Sequence, residues 1–221
     1  MEVRDENLIN SLEYKIKICG MSEGENIMEI ASLLPDYLGF IFYKKSARYF
    51  EGIIPEISKS IKKTGVFVDE TIDEILTKIS QYNLQAVQLH GKESPEFVRL
   101  LRNEIGDKIE IIKAFAVDYD FNFERIKDFE NHCDYFLFDT KGKLPGGNGE
   151  KFDWNLLSKY TGTKSIFLSG GIGMDDLENF KNIKKINFRI QGFDFNSKLE
   201  LKPGLKSSEL AKNVIQEIRK L

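Results

Sequence analysis

What most constrains this chain is a recurrence of short apolar, β-branched or aromatic runs at residues 15–19, 38–43, 65–68, 86–90, 109–115, 135–139, 165–169 and 190–195. Each is of strand length and is bounded by polar, glycine-bearing or proline-bearing sequence. Helical spacing fills intervals between them. Ile72, Ile75, Leu76 and Ile79 share one face over 71–82, and Phe97, Leu100 and Leu101 do so over 95–103, where Pro95 takes the first turn behind Ser94 as cap. Eight strands roughly 25 residues apart, alternating with helices, predict an α/β chain closed into a single-domain (β/α)8 TIM barrel. An open doubly wound sheet is the alternative architecture. Residues 15–221 are read as the barrel and 1–14, polar and charged, as an N-terminal extension.

The bulk composition narrows the partners. With 32 Lys and Arg against 35 Asp and Glu, the formal charge of -3 gives no footprint for nucleic acid or a membrane surface. No run is long or apolar enough for a leader or a membrane span. Cys19 and Cys133 are the only cysteines and lie far apart, which fits a reducing, cytoplasmic setting. Only two histidines, His90 and His132, are present, with no ligand spacing, so no metal is expected. Neither a GxGxxG nor a GxxxxGK[ST] pattern follows a strand, so no nucleotide cofactor is expected either.

In a barrel of this kind the chemistry belongs to residues at the carboxyl ends of the strands. Those residues are Cys19, Arg48 a little beyond the second strand, His90, Asp139, Ser169 and Asp194. Strand alternation puts Lys15, Lys17 and Cys19 on one face and Ile16 and Ile18 on the other. If the isoleucines meet the helices, Cys19 points into the barrel mouth, where Lys17 on the same face favours its thiolate. A lone cysteine at a strand end is more often a small buried apolar residue, and an aspartate in Asp139's position is as often a turn residue. Together, one base and one acid on separate strands suit a proton-shuttling isomerisation. Gly170, Gly171 and Gly173 after the seventh strand, with Asp194, Asn196 and Ser197 ending the eighth, form two adjacent loops of the type that cradles a phosphate with backbone N–H groups. Arg48 can grip a carboxylate, and His90 is either a ligand contact or an orienting residue. The 146–149 glycine cluster reads as a loop beside the reacting groups.

Five segments in order, KIKICGM from Lys15, GVFV from Gly65, VQLHG from Val87, GGNG from Gly146 with FDW from Phe152, and LSGGI from Leu168, resemble phosphoribosylanthranilate isomerases. The resemblance implies a barrel of the phosphate-binding group. It also implies an Amadori rearrangement of N-(5-phospho-β-D-ribosyl)anthranilate to 1-(2-carboxyphenylamino)-1-deoxy-D-ribulose 5-phosphate in tryptophan biosynthesis. In the family the cysteine of KICG is the base and the aspartate ending strand six is the acid, which carries over to Cys19 and Asp139. Arg48 takes the anthranilate carboxylate, and Gly170, Gly171, Asn196 and Ser197 take the phosphate. No cofactor is implied, the partner is a small phosphosugar, and the chain is expected to be a monomer or homodimer. The last strand departs from the family's usual DVSSGVE: here it is DFNSKLE from Asp194 to Glu200. Another phosphosugar isomerase or epimerase, or a non-catalytic phosphometabolite-binding barrel, are the alternative readings.

Overall fold

The computed structural model describes residues 13–140, 154–183 and 189–221. Eight parallel strands close into a barrel in sequence order: β1 (Lys15–Ile18), β2 (Tyr37–Ile41), β3 (Lys62–Phe67), β4 (Ala86–Leu89), β5 (Glu110–Val117), β6 (Tyr135–Thr140), β7 (Ser165–Leu168) and β8 (Ile190–Phe195). The open doubly wound sheet is thereby excluded. Strand β1 pairs on one side with β2 and on the other with β8, in the register Lys17 opposite Asp194 and Ile18 opposite Phe195.

The alternation read from the sequence governs which side chains face inward. Tyr37, Ala86, Ile112, Ala114, Leu137 and Phe167 form one apolar cluster with Tyr135 packed against it, while Ile16, Ile18, Val87, Leu89, Phe136 and Phe138 belong to the larger layer outside the strands. At the amino-terminal end the interior is plugged by polar contacts. Glu110 accepts from Lys62 Nζ at 2.5 Å and from the Tyr37 hydroxyl at 3.0 Å, and Lys15 lies 5.7 Å from the Tyr37 ring centre. The interior is a packed core with a single chemically useful end.

Around the barrel run α1 (Gly24–Ala31), α2 (Ile72–Tyr82), α3 (Pro95–Ile105), α4 (Leu177–Ile183) and α5 (Ser208–Ile218). The cap expected at Ser94 forms, and Thr71 and Ser207 act in the same way: each accepts a hydrogen bond from the N–H three residues on, Thr71 at 3.2, Ser94 at 3.1 and Ser207 at 3.3 Å, satisfying an otherwise orphaned donor. The expected strand–helix alternation is incomplete, however. The β2–β3 crossover contains no helix, and β5–β6 is crossed by a short 3-10 segment, Phe123–Phe129. Aromatic side chains cover the sheet there instead. Phe50 packs edge-on to Phe40 at 5.0 Å and to Tyr82 at 5.6 Å, and Phe123 meets Phe138 at 5.6 Å. A large ring buries area comparable to part of a helical turn without needing helical backbone.

On the outer face of β5, Lys113 is buried together with Glu93, and its Nζ donates to the Glu93 carboxylate at 2.9 Å and to the carbonyls of Gly91 at 2.9 Å and Ala114 at 3.1 Å. Glu93 in turn accepts from the backbone N–H of Asp69 at 3.0 Å and of Gly91 at 3.1 Å. This brace joins the loops after β3 and β4 and fixes the backbone that follows His90. Replacing Lys113 by Met leaves a buried carboxylate without its cation, a change that destabilises by about 3–5 kcal/mol. A lowered urea midpoint with unchanged slope is the expected result.

Candidate active site

Cys19 follows β1 directly, its N–H donating to the Phe195 carbonyl at 2.8 Å, so the end of β1 is held against the end of β8. Two glycines shape its surroundings. A methyl group on Gly39 would stand 2.7 Å from Cys19 Sγ, so β2 must lack a side chain beside the thiol. Gly20 has φ +75°, a left-handed conformation that glycine adopts without strain, and a Cβ there would stand 2.8 Å from both Arg48 Cδ and Asn196 Oδ1. Arg48 and Asn196 therefore converge on the residue next to the thiol.

Beneath Cys19, Lys17 Nζ donates to Asp194 Oδ1 at 2.9 Å, both side chains being buried. Asp194 thus faces the barrel interior below the mouth. The sequence reading placed it among substrate contacts; its register opposite Lys17 brings one of its carboxylate oxygens to that ammonium. The same pairing modifies the expectation for Lys17 as keeper of the Cys19 thiolate. Burial raises the Cys19 thiol above its ordinary value, and Lys17, with Lys206 acting more weakly, only opposes that rise. Cys133, buried outside the barrel wall, is pushed by the same cause to about 12.

Asp139, on β6, is separated around the wall from β1 by β7 and β8. Inward-facing Tyr135 and Leu137 set its direction. His90, just beyond β4, brings Nε2 to 3.3 Å from Asp139 Oδ2, and its Nδ1 lies 2.8 Å from the Gln88 amide nitrogen. With that amide N–H donating, the neutral ring carries its hydrogen on Nε2, aimed at Asp139. His90 is thus an orienting neighbour of the acid candidate.

The loops after β7 and β8 abut. Gly170 and Gly171 have φ of 96° and 67°, a Cβ on Gly171 would meet nothing within 4 Å, and one on Gly173 would lie 3.0 Å from Lys198 Cβ. Two successive residues of this conformation make a turn that glycine adopts without strain, beside the loop after β8. Asn196 and the exposed Ser197 open a short 3-10 turn, Ser197–Leu199, on the neighbouring strand end. The 146–149 glycine cluster and Phe152 lie outside the described residues.

Arg48 reaches across the mouth. Its Nε and Nη2 donate in parallel to the two oxygens of Glu200, each at 2.7 Å. Glu200 also accepts from buried Lys206 Nζ at 2.7 Å and from the Gly204 N–H at 3.0 Å. Burial alone would raise this carboxyl, but those donors hold it down at about 2, so it is ionised at any working pH. Glu200 and Lys206 belong to a hairpin, β9 (Glu200–Lys202) with β10 (Leu205–Lys206), that follows the barrel proper. Sequence reasoning passed over both, because the partner of Arg48 is 152 residues away and neither run has strand-end spacing.

A family model described as N-(5'-phosphoribosyl)anthranilate (PRA) isomerase matches residues 16–217. The N-(5'-phosphoribosyl)anthranilate isomerase of Parabacteroides distasonis is 42% identical over 209 residues, 92% of either chain. The crystal structure of phosphoribosyl anthranilate isomerase from Thermotoga maritima superposes with a TM-score of 0.79 at 31% identity, covering 94% of this chain and 100% of that one. A phosphoribosyl anthranilate isomerase in complex with reduced 1-(o-carboxyphenylamino)-1-deoxyribulose 5-phosphate gives a TM-score of 0.75 at 29% identity, over 94% and 100% of the two chains. With the family match running from within β1 to within α5 and a relative at 42% identity, this chain belongs to the N-(5'-phosphoribosyl)anthranilate isomerase family.

Proposed function

We propose that Cys19 and Asp139 are the general base and general acid of the isomerisation that this chain performs. As a member of its family it is an isomerase of N-(5'-phosphoribosyl)anthranilate in tryptophan biosynthesis. The reaction moves a proton and opens a ring. Asp139, protonated, delivers its proton to the ribose ring oxygen as the C1′–O bond breaks and the anilino nitrogen forms a Schiff base. Cys19 as thiolate then takes the C2′ proton, and the electron pair moves to give an enolamine that tautomerises to the ketone. Both steps are proton transfers by positioned side chains.

The observation that carries this reading is the placement of one thiol and one carboxyl at the mouth end of the barrel, with separate anion grips beside them. The aminobenzoate carboxylate goes to Arg48, whose Nη1 has no partner among the described residues while Glu200 holds its other edge. The phosphate goes to the N–H groups around Gly170 and Gly171 and to Asn196 and Ser197. Both cysteines are free thiols, which supports a cytoplasmic enzyme.

Purified protein incubated with N-(5'-phosphoribosyl)anthranilate is expected to generate a ketone carbon detectable by 13C NMR. Arg48→Met is expected to raise KM about 10- to 100-fold with a smaller change in kcat, since the carboxylate is distant from the bonds that change. Absence of turnover in the parent protein would overturn the assignment, and an Arg48→Met variant with unaltered KM would remove Arg48 from the carboxylate site.

A further inference from the structure

Lys206 hydrogen-bonds to a residue of each anion grip, Glu200 beside Arg48 and Asn196 of the β8 loop. Its side chain is buried, and its ammonium has three acceptors for three hydrogens: Glu200 Oε1 at 2.7 Å, Asn196 Oδ1 at 2.7 Å and the Asn196 carbonyl at 3.3 Å. Its backbone is pinned independently. Asn26 of α1 accepts from the Lys206 N–H at 2.8 Å and donates to the Lys206 carbonyl at 2.9 Å, so the stem is aimed before the ammonium binds anything. One acceptor, Glu200, holds the guanidinium of Arg48 by two parallel hydrogen bonds. The other, Asn196, begins the turn after β8. Arg48 and Asn196 also flank Gly20, each with an atom 2.8 Å from the position a side chain there would take.

We propose that Lys206 is a positioning residue that couples the carboxylate grip to the phosphate grip, so that Arg48 and the β8 loop take their binding geometry together. The proposal rests on the reading of the site given above. A substrate with an anion at each end gains from such a link, because both ends must be held at once for the bonds between them to be aligned with acid and base. Two grips that were mechanically independent would each bind their own half of the substrate and leave its middle free to shift.

Cross-effects on half-substrates test the coupling. N-methylanthranilate serves as the carboxylate probe and ribose 5-phosphate as the phosphate probe, each titrated as a competitive inhibitor of turnover. In the coupled site, Asn196→Ala weakens N-methylanthranilate and Glu200→Gln weakens ribose 5-phosphate, each by about threefold or more, although neither residue belongs to the grip being probed. Lys206→Met weakens both probes and raises KM by about tenfold or more, with a lesser fall in kcat. A general loosening of the fold would lower the melting temperature without directing the loss to the opposite probe. If each single variant disturbs only its own end, or if Lys206→Met folds and binds both probes as the parent does, the coupling is disproved. Should Lys206→Met not fold, the two cross-effects decide alone. A parent enzyme with no turnover would refute the functional reading, whereas an active parent lacking cross-effects would refute only the coupling.

Discussion

Loss of the Cys19 thiol is expected to produce one of the two largest defects available in this protein. The Cys19→Ala variant should keep its fold and its substrate affinity and lose about 10²- to 10⁴-fold in kcat, the ordinary contribution of a positioned general base. Its neighbours offer no substitute: Lys17 is committed to Asp194, and Lys206 already has three acceptors. The parent's pH dependence has a definite sign. The thiolate is the reactive form, and burial raises the thiol above its ordinary value. The fraction in the active form is therefore small at neutral pH and grows about tenfold per unit until the pKa is reached, which is above the ordinary thiol value of about 8.5. We expect the rate of alkylation of Cys19 to rise through this range. An alkylation rate that stays flat between neutrality and the alkaline side would show that the Cys19 thiol is already ionised at neutral pH.

The companion defect is expected at Asp139. Asp139→Asn preserves shape and can still accept a hydrogen bond from His90 Nε2, now at 3.3 Å, but it has no proton to give to a ring oxygen. A fall in kcat of about 10²- to 10⁴-fold with KM changed far less is expected. His90 cannot replace it while its Nε2 hydrogen is directed at residue 139 and its Nδ1 is held by Gln88. A variant that cannot open the ring accumulates no Schiff base, whereas Cys19→Ala stops after ring opening. Trapping with borohydride should therefore label the Schiff base in Cys19→Ala and not in Asp139→Asn. Equal labelling in both would reassign the first proton transfer.

Much of this architecture is legible in the sequence because strand alternation is a local property. The eight runs lie where the strands form, with ends displaced by up to three residues, and the inward faces follow from period-two spacing alone. Helix starts at Ile72 and Pro95 are equally local, since a single side chain caps each. What the sequence conceals is contact at a distance. The crossover after β2 is filled by Phe50 against Phe40 and Tyr82 in place of a helix, and no helical period exists there to be read or missed. Likewise, the Lys17–Asp194 and Arg48–Glu200 pairs join residues 177 and 152 positions apart, and their registers emerge only when the barrel closes. Asp194 shows the difficulty well: a strand-end aspartate looks like a rim residue until its opposite number in β1 is known to be a lysine.

The pairing of β1 with β8 also fixes when the enzyme can exist during its own synthesis. Strand β1 leaves the ribosome first and β8 nearly last, so β1 waits as an open edge with Lys17 unneutralised until residues 190–195 emerge. The backbone beside Cys19 is tied to Phe195, and the hairpin carrying Glu200 and Lys206 comes later still. No nascent chain short of the final hairpin holds a complete site. A polypeptide that stops before Glu200 should bind its substrate weakly however much of its barrel has formed, since Arg48 then lacks the carboxylate that holds it.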